Sequence, residues 1–151
     1  MISLRNIICV FCCVTLLTVT SVLYAQELRP FKSDGCSLFP DRASLLGGDW
    51  CECCFQHDLS YWRGGSTVER EIADRTLKEC VVSKTGNISL ARLMYQGVRQ
   101  GGSPYFYTWY RWGYGWDFGR GYDPVTEVEE QQIEMRLKEY YENPSEPSCE
   151  K

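Results

Sequence analysis

The chain has 151 residues, with 20 acidic against 16 basic side chains, a formal charge of −4, nine cysteines and a single histidine. No basic stretch with interleaved aromatics occurs, so nucleic acid is not an expected partner, and no strong general attraction to anionic lipid is expected either. Chemistry that needs a side chain titrating near neutral pH falls to His57.

Met1-Ile2-Ser3-Leu4-Arg5, followed by an apolar run from Ile7 to about Val22, reads as a signal peptide over residues 1–25 with its cut after Ala25. The rival reading is a retained membrane anchor, against which the shortness of the run and its Thr and Ser content argue. A secreted or periplasmic protein is expected. Removing residues 1–25 removes Cys9, Cys12 and Cys13 and leaves Cys36, Cys51, Cys53, Cys54, Cys80 and Cys149. An even number in an exported chain predicts three disulfides. Cys53 and Cys54, adjacent on a helix, point in different directions and should tie it to two other segments.

Residues 26–151 are expected to form a single domain. Its first part, 26–48, carries Pro30, Gly35, Pro40, Gly47 and Gly48 and reads as loop or extended chain. Asp49 and Glu52 form a capping-box pattern that predicts a helix from Trp50 to about Trp62, stopped by Gly64-Gly65. Cys53, His57 and Tyr61 then share one face, with Cys54 and Asp58 on the adjacent one. Ser66 and Glu69 are a second capping box, opening a helix to roughly Ser83. Val68, Ile72, Leu77 and Val81 supply its apolar stripe, and Glu69, Arg70, Arg75 and Lys78 suit solvent. Asn87 caps a third helix from Ile88 to about Arg99, with Leu90, Leu93, Met94 and Val98 as core.

Composition then changes to an aromatic loop, residues 101–122, in which no helical period is found and the glycines argue for loop or short strands. The aromatics of 105–118 either finish a small core or wall a pocket or interface. Asp123-Pro124 fits a cap with proline at the first helical position and predicts a helix over about 124–141. Val128, Ile133, Leu137, Tyr140 and Tyr141 give it an incomplete apolar seam. The proline-containing tail after it is expected to be extended and pinned by Cys149. These elements make an all-α, small, disulfide-linked domain with two antiparallel core helices.

A histidine on a rigid helix can take a proton from water when its other ring nitrogen donates to a carboxylate. Asp58 is poorly placed for that role, because an immediate helical neighbour points about 100° away. Asp74 is better placed: two antiparallel helices joined at Gly64-Gly65 bring together residues at similar distances from the turn. Asp58 is then free to bind a metal. Calcium takes carboxylate and backbone carbonyl oxygens, and Ser33-Asp34-Gly35-Cys36-Ser37 could turn carbonyls inward. Against this stands a simpler alternative, in which His57 is a hydrogen-bonded packing residue and Asp74 lies on a wet helix face. Zinc is less attractive, with one histidine and cysteines expected to be oxidised.

Cys53-Cys54-Phe55-Gln56-His57-Asp58-Leu59-Ser60-Tyr61 resembles the active-site helix of secreted phospholipase A2, with its pattern Cys-Cys-x-x-His-Asp-x-Cys-Tyr. The resemblance implies that His57 is the base activating water, that Asp58 is the Ca²⁺ ligand and that Tyr61 belongs to the supporting hydrogen-bond network. Ala73-Asp74 is similar to the second helix of the shorter bacterial and fungal members, where the aspartate orienting the histidine sits. The likeness spans roughly residues 33–98. Ser60 stands at the usual cysteine position, residues 34–41 lack the glycine-rich calcium loop, and 105–118 has no counterpart. The expected activity is calcium-dependent hydrolysis of the sn-2 ester of glycerophospholipids, with Asp58, Asp34 and Gly35 around the metal and a lipid or membrane surface as partner. The alternatives are a catalytically inactive binding or structural module of the same fold, and an esterase acting on other substrates with the same dyad.

Overall fold

The structure, a computed structural model, describes residues 26–43, 48–143 and 149. The expected signal segment 1–25 and tail residues 144–148 lie outside the described residues. Two strands of two residues, β1 (Arg42–Ala43) and β2 (Gly48–Asp49), pair antiparallel. Four helices follow: α1 (Cys51–Arg63), α2 (Thr67–Thr85), α3 (Ile88–Gly101) and α4 (Glu127–Glu142). The protein is a small all-α domain, and among the described residues no helix is long and apolar enough to cross a membrane.

The order of cross-links shows that α1 and α2 run antiparallel. Cys53 is bonded to Cys80, His57 meets Asp74, and Tyr61 meets Arg70, so the partner number falls as the first rises. The other disulfides join Cys54 to Cys36 and Cys51 to Cys149. Cys53 and Cys54 therefore tie α1 to two different segments, as their helical directions require. Leu77 and Val81 of α2 pack with Leu90, Ala91 and Met94 of α3 and with Trp50 in one core. The far side of α1 packs with Leu28, Phe31, Trp116 and Ile133 in a second.

The Ser66–Glu69 capping box forms in both halves, and Asn87 caps α3 by accepting from Leu90 N–H. The expected Asp49–Glu52 box does not form. Trp50 is the N-cap of α1 and has no side-chain cap, while Asp49, committed to β2, accepts from Cys51 N–H at 2.9 Å. Helix α4 begins at Glu127 rather than near Pro124, because Thr126 and Glu129 cap each other reciprocally and Arg120 takes the Pro124 carbonyl. Several expected core residues are also corrected: Val68, Ile72, Leu93, Val128 and Tyr141 are exposed, whereas Arg70 is only 3% exposed.

Beyond Gly101, the last residue of α3, the aromatic loop contains no helix or strand. Its aromatics divide between core and surface. Trp112 and Trp116 are buried, donating their indole N–H groups to the carbonyls of Gly65 and Arg63 at 2.7 Å each. Tyr105, Phe106, Tyr107, Trp109 and Phe118 are exposed. Gly113 and Gly115 donate to the carbonyls of Tyr61 and Trp62, satisfying the open end of α1. A Cβ on Gly115 would lie 2.6 Å from the Trp62 indole, so the approach requires glycine there.

Candidate active site

Helix α1 sends two adjacent side chains to different walls. His57 turns toward α2, where its Nε2 meets Asp74 Oδ1 at 2.8 Å, and Asp58 turns toward the N-terminal loop, where Ser33 Oγ donates to its Oδ2 at 2.6 Å. Both residues are buried. A carboxylate accepts, so Nε2 carries the hydrogen and Nδ1 is left with its lone pair. Among the described residues nothing bonds Nδ1.

Asp74 is completely buried and carries four bonding partners' worth of environment: His57, Tyr61 at 2.8 Å on Oδ1, Arg99 at 2.6 Å on Oδ2, and Arg70 at 3.8 Å. Burial would raise its pKa, but the hydrogen bonds from His57, Arg99 and Tyr61 outweigh it and hold the carboxyl below the usual range. Asp74 is therefore ionised. Burial and then the Asp74 charge push the Tyr61 phenol up, so it remains a donor.

Arg70 and Arg99 are absent from the sequence-based site. Arg70 donates to Tyr61 Oη, to Tyr122 Oη and to the carbonyls of Val98 and Arg99, which ties α1, α2, the end of α3 and the aromatic loop together. Its position four residues before Asp74 on one helix was a readable signal. Arg99 had none, since its contact spans 25 positions.

His57 and Asp58 line a cavity of about 310 Å³ whose walls are otherwise mostly apolar, including Phe39, Leu77, Met94 and Val98. Leu38 and Leu93 are exposed and also line it. Leu38 has φ of 59°, a left-handed backbone that a leucine rarely adopts, and holds its side chain out to solvent at 77% exposure.

Asp34 and Gly35 lie beside Asp58. Gly35 has φ of 78°, and a Cβ there would lie 2.3 Å from Asp41 Oδ1, so the turn requires glycine. The Asp34 carboxylate accepts from Ser37 Oγ and from Trp109 Nε1. Burial pushes Asp58 up to about 8; Ser33 opposes the shift, and the charges of Asp34 and Asp41 add to it. No cationic side chain among the described residues pairs with Asp58. Among them no group of three His, Cys, Asp or Glu side chains is placed to hold a metal. The group present is instead a single carboxyl bonded by Ser33, with Asp34 and Asp41 nearby, an oxygen-only surrounding that suits calcium better than zinc. The N–H groups of Gly35 and Cys36 donate to Ser33 Oγ at 3.2 Å and Asp41 Oδ1 at 2.7 Å.

In comparisons with known proteins, no family model, no curated protein and no solved structure matches the chain. The functional reading therefore stands on the residues and their geometry.

Proposed function

We propose that the protein is a phospholipase A2-like hydrolase that cleaves the sn-2 ester of glycerophospholipids with calcium. The observation that supports this most is the buried Asp74–His57 pair, whose free imidazole nitrogen belongs to a ring lining an apolar cavity. In this reading Nδ1 of His57 takes a proton from water while the water oxygen attacks the ester carbonyl. Asp74 fixes the tautomer and stabilises the imidazolium that forms. Tyr61 and Arg99 hold Asp74 in place. The imidazolium then returns its proton to the departing glycerol oxygen, giving a fatty acid and a lysophospholipid.

Asp58, with Asp34 and Gly35 of the neighbouring loop, would hold the Ca²⁺ ion. When bound, calcium supplies Lewis-acid polarisation of the ester carbonyl. The Gly35 N–H can exchange its long bond to Ser33 for a developing oxyanion. Leu38, Leu93 and the exposed aromatics of 105–118 suit contact with a lipid surface, since Tyr and Trp favour the boundary between apolar and wet phases.

The test is fatty-acid release from mixed phospholipid vesicles, with Ca²⁺ and with chelator. Wild type should release fatty acid only with Ca²⁺, and His57→Ala should lose roughly 10³-fold or more while remaining folded. Equal release by the variant, or none by wild type, refutes the reading.

A further inference from the structure

Glu71 and Asp74 stand one turn apart on α2, two carboxylates of like charge that repel each other along the helix. A single nitrogen joins them. Nη1 of Arg99, in the last turn of α3, donates to Asp74 Oδ2 at 2.6 Å and lies 3.4 Å from Glu71 Oε2. The two carboxylates are bonded alike. On Asp74, Oδ1 is taken by His57 and Tyr61 while Oδ2 faces the guanidinium. On Glu71, Oε1 accepts from Arg75 Nε at 2.8 Å and from Tyr95 Oη at 3.0 Å while Oε2 faces the guanidinium.

Their surroundings differ. Asp74 is fully buried, whereas Glu71 and Arg99 keep 31% and 28% of their side-chain surface. Arg99 therefore reaches inward from the surface to a buried anion. A long, part-exposed side chain has many competing rotamers, whose loss its bonds must offset. Glu71 gives it a second anchor on the outer side, and Glu71 is itself fixed from both helices, by Arg75 of α2 and Tyr95 of α3. The bonds from Arg75 and then Tyr95 hold its carboxyl below the usual range, so it is ionised at neutral pH.

No neighbour duplicates this arrangement. Arg70 is 3.8 Å from Asp74 Oδ2 and spends its nitrogens on Tyr61, Tyr122 and the carbonyls of Val98 and Arg99. Tyr61 bonds the other oxygen. Neither Glu71 nor Arg99 is in the lining of the cavity beside His57, so what they do there passes through Asp74 and the ring.

We infer that Glu71 is a positioning residue for the reaction: it keeps Arg99 on Asp74 Oδ2, which leaves Oδ1 fixed on the Nε2 hydrogen of His57 and so orients the imidazole. The inference rests on the reading given under Proposed function, in which that ring is the base. It adds a part-exposed carboxylate, remote from the cavity, to the groups on which turnover depends.

A double-mutant cycle separates this role from that of a surface ion pair. Glu71→Gln, Arg99→Gln and the double variant are compared with wild type as full-length proteins. One readout is fatty-acid release from mixed phospholipid vesicles with Ca²⁺; the other is solvent exchange of the His57 Nε2 proton, which proton NMR can assign because the chain has one histidine. Glu71→Gln should lower kcat about two- to fivefold with KM unchanged, and speed exchange by a similar factor. Arg99→Gln should lower kcat about tenfold or more, since a charge-assisted bond is lost. Arg99→Lys should recover part of that loss, having the charge without the planar fork. In the Arg99→Gln background, Glu71→Gln should change neither readout further. Equal effects of Glu71→Gln with and without Arg99, an effect confined to KM, unchanged exchange in Glu71→Gln, or a wild-type proton too labile to resolve would each overturn the assignment. Failure of wild type to hydrolyse any phospholipid would refute the hydrolase, while the exchange measurements would still decide whether Glu71 acts on the ring through Arg99.

Discussion

The Arg99 guanidinium, near the end of α3, donates to Oδ2 of Asp74 at 2.6 Å, on the opposite oxygen from the one shared by His57 and Tyr61. Three structural elements thus converge on one fully buried carboxylate. After His57, Arg99 helps to keep that carboxylate ionised, because it brings a permanent full charge and a short bond to a group that is itself fully buried.

Arg99→Leu should therefore make the protein more sensitive to acid. A carboxyl held below its ordinary value adds stability above that value, and the stability is lost as pH falls through the folded value. Without Arg99 the folded value of Asp74 rises, so less stability is held above the ordinary value and its loss is complete at a higher pH. Circular dichroism followed from neutral pH downward should show an earlier unfolding midpoint. Coincident curves for variant and wild type would deny Arg99 this role.

Asp74→Asn should separate shape from charge. The amide fills the same space, but it no longer enforces the tautomer with hydrogen on Nε2, and activity on vesicles should fall by about 10²–10⁴-fold. Arg70 and Arg99 would also lose their shared anion, a cost of about 3 kcal/mol by the usual penalty for breaking a buried pair. Thermal unfolding and fatty-acid release, measured on one preparation, check both halves. Full activity would show that the imidazole needs no anionic partner.

What was legible in the sequence was what local rules govern. The Ser66–Glu69 box, the Asn87 cap and the pairing of His57 with Asp74 across a glycine turn all follow from positions a few residues apart or equidistant from one turn. Arg70 is buried although hydropathy assigns arginine to solvent. Its burial is possible only through acceptors on Tyr61, Tyr122 and the Val98 and Arg99 carbonyls, up to 52 positions away. With Arg70 and Asp74 occupying the inner face, Val68 and Ile72 are displaced to solvent although they are apolar. The disulfide partners were equally unreadable, since pairing depends on how segments pack rather than on spacing. The start of α4 was readable in principle, for Thr126 and Glu129 spell the same box as Ser66 and Glu69.

Tyr61→Phe and Gly102→Ala should disturb the same bond by different routes. Phenylalanine removes the hydroxyl that donates to Asp74 and accepts from Arg70, for a loss of about 1 kcal/mol and a modest fall in activity. Alanine at 102 would put a Cβ 2.5 Å from Tyr61 Cε1 and 2.8 Å from the Val98 carbonyl oxygen. Relief requires the ring or the end of α3 to move, which should cost about 1–3 kcal/mol and displace Tyr61 from Asp74. Gly102→Ala should accordingly be the more damaging of the two in both unfolding temperature and turnover. The reverse order would mean that the Gly102 backbone yields and the ring does not.

Asp58 offers a pH test of the calcium site that needs no substrate. Its carboxyl is pushed from 3.8 up to about 8, by burial first and by Asp34 and Asp41 after it. Between those values the unfolded chain releases a proton that the folded chain keeps, so without calcium the contribution of Asp58 to stability falls as pH rises through this window. Asp58→Asn should flatten that slope and unfold at a higher temperature than wild type near the upper end. Calcium requires the deprotonated form, so its stabilisation of wild type should grow with pH across the same window and be accompanied by proton release. Unfolding temperatures measured across this range, with Ca²⁺ and with chelator, give both slopes. A calcium shift of equal size at every pH, or one retained by Asp58→Asn, would place the ion elsewhere.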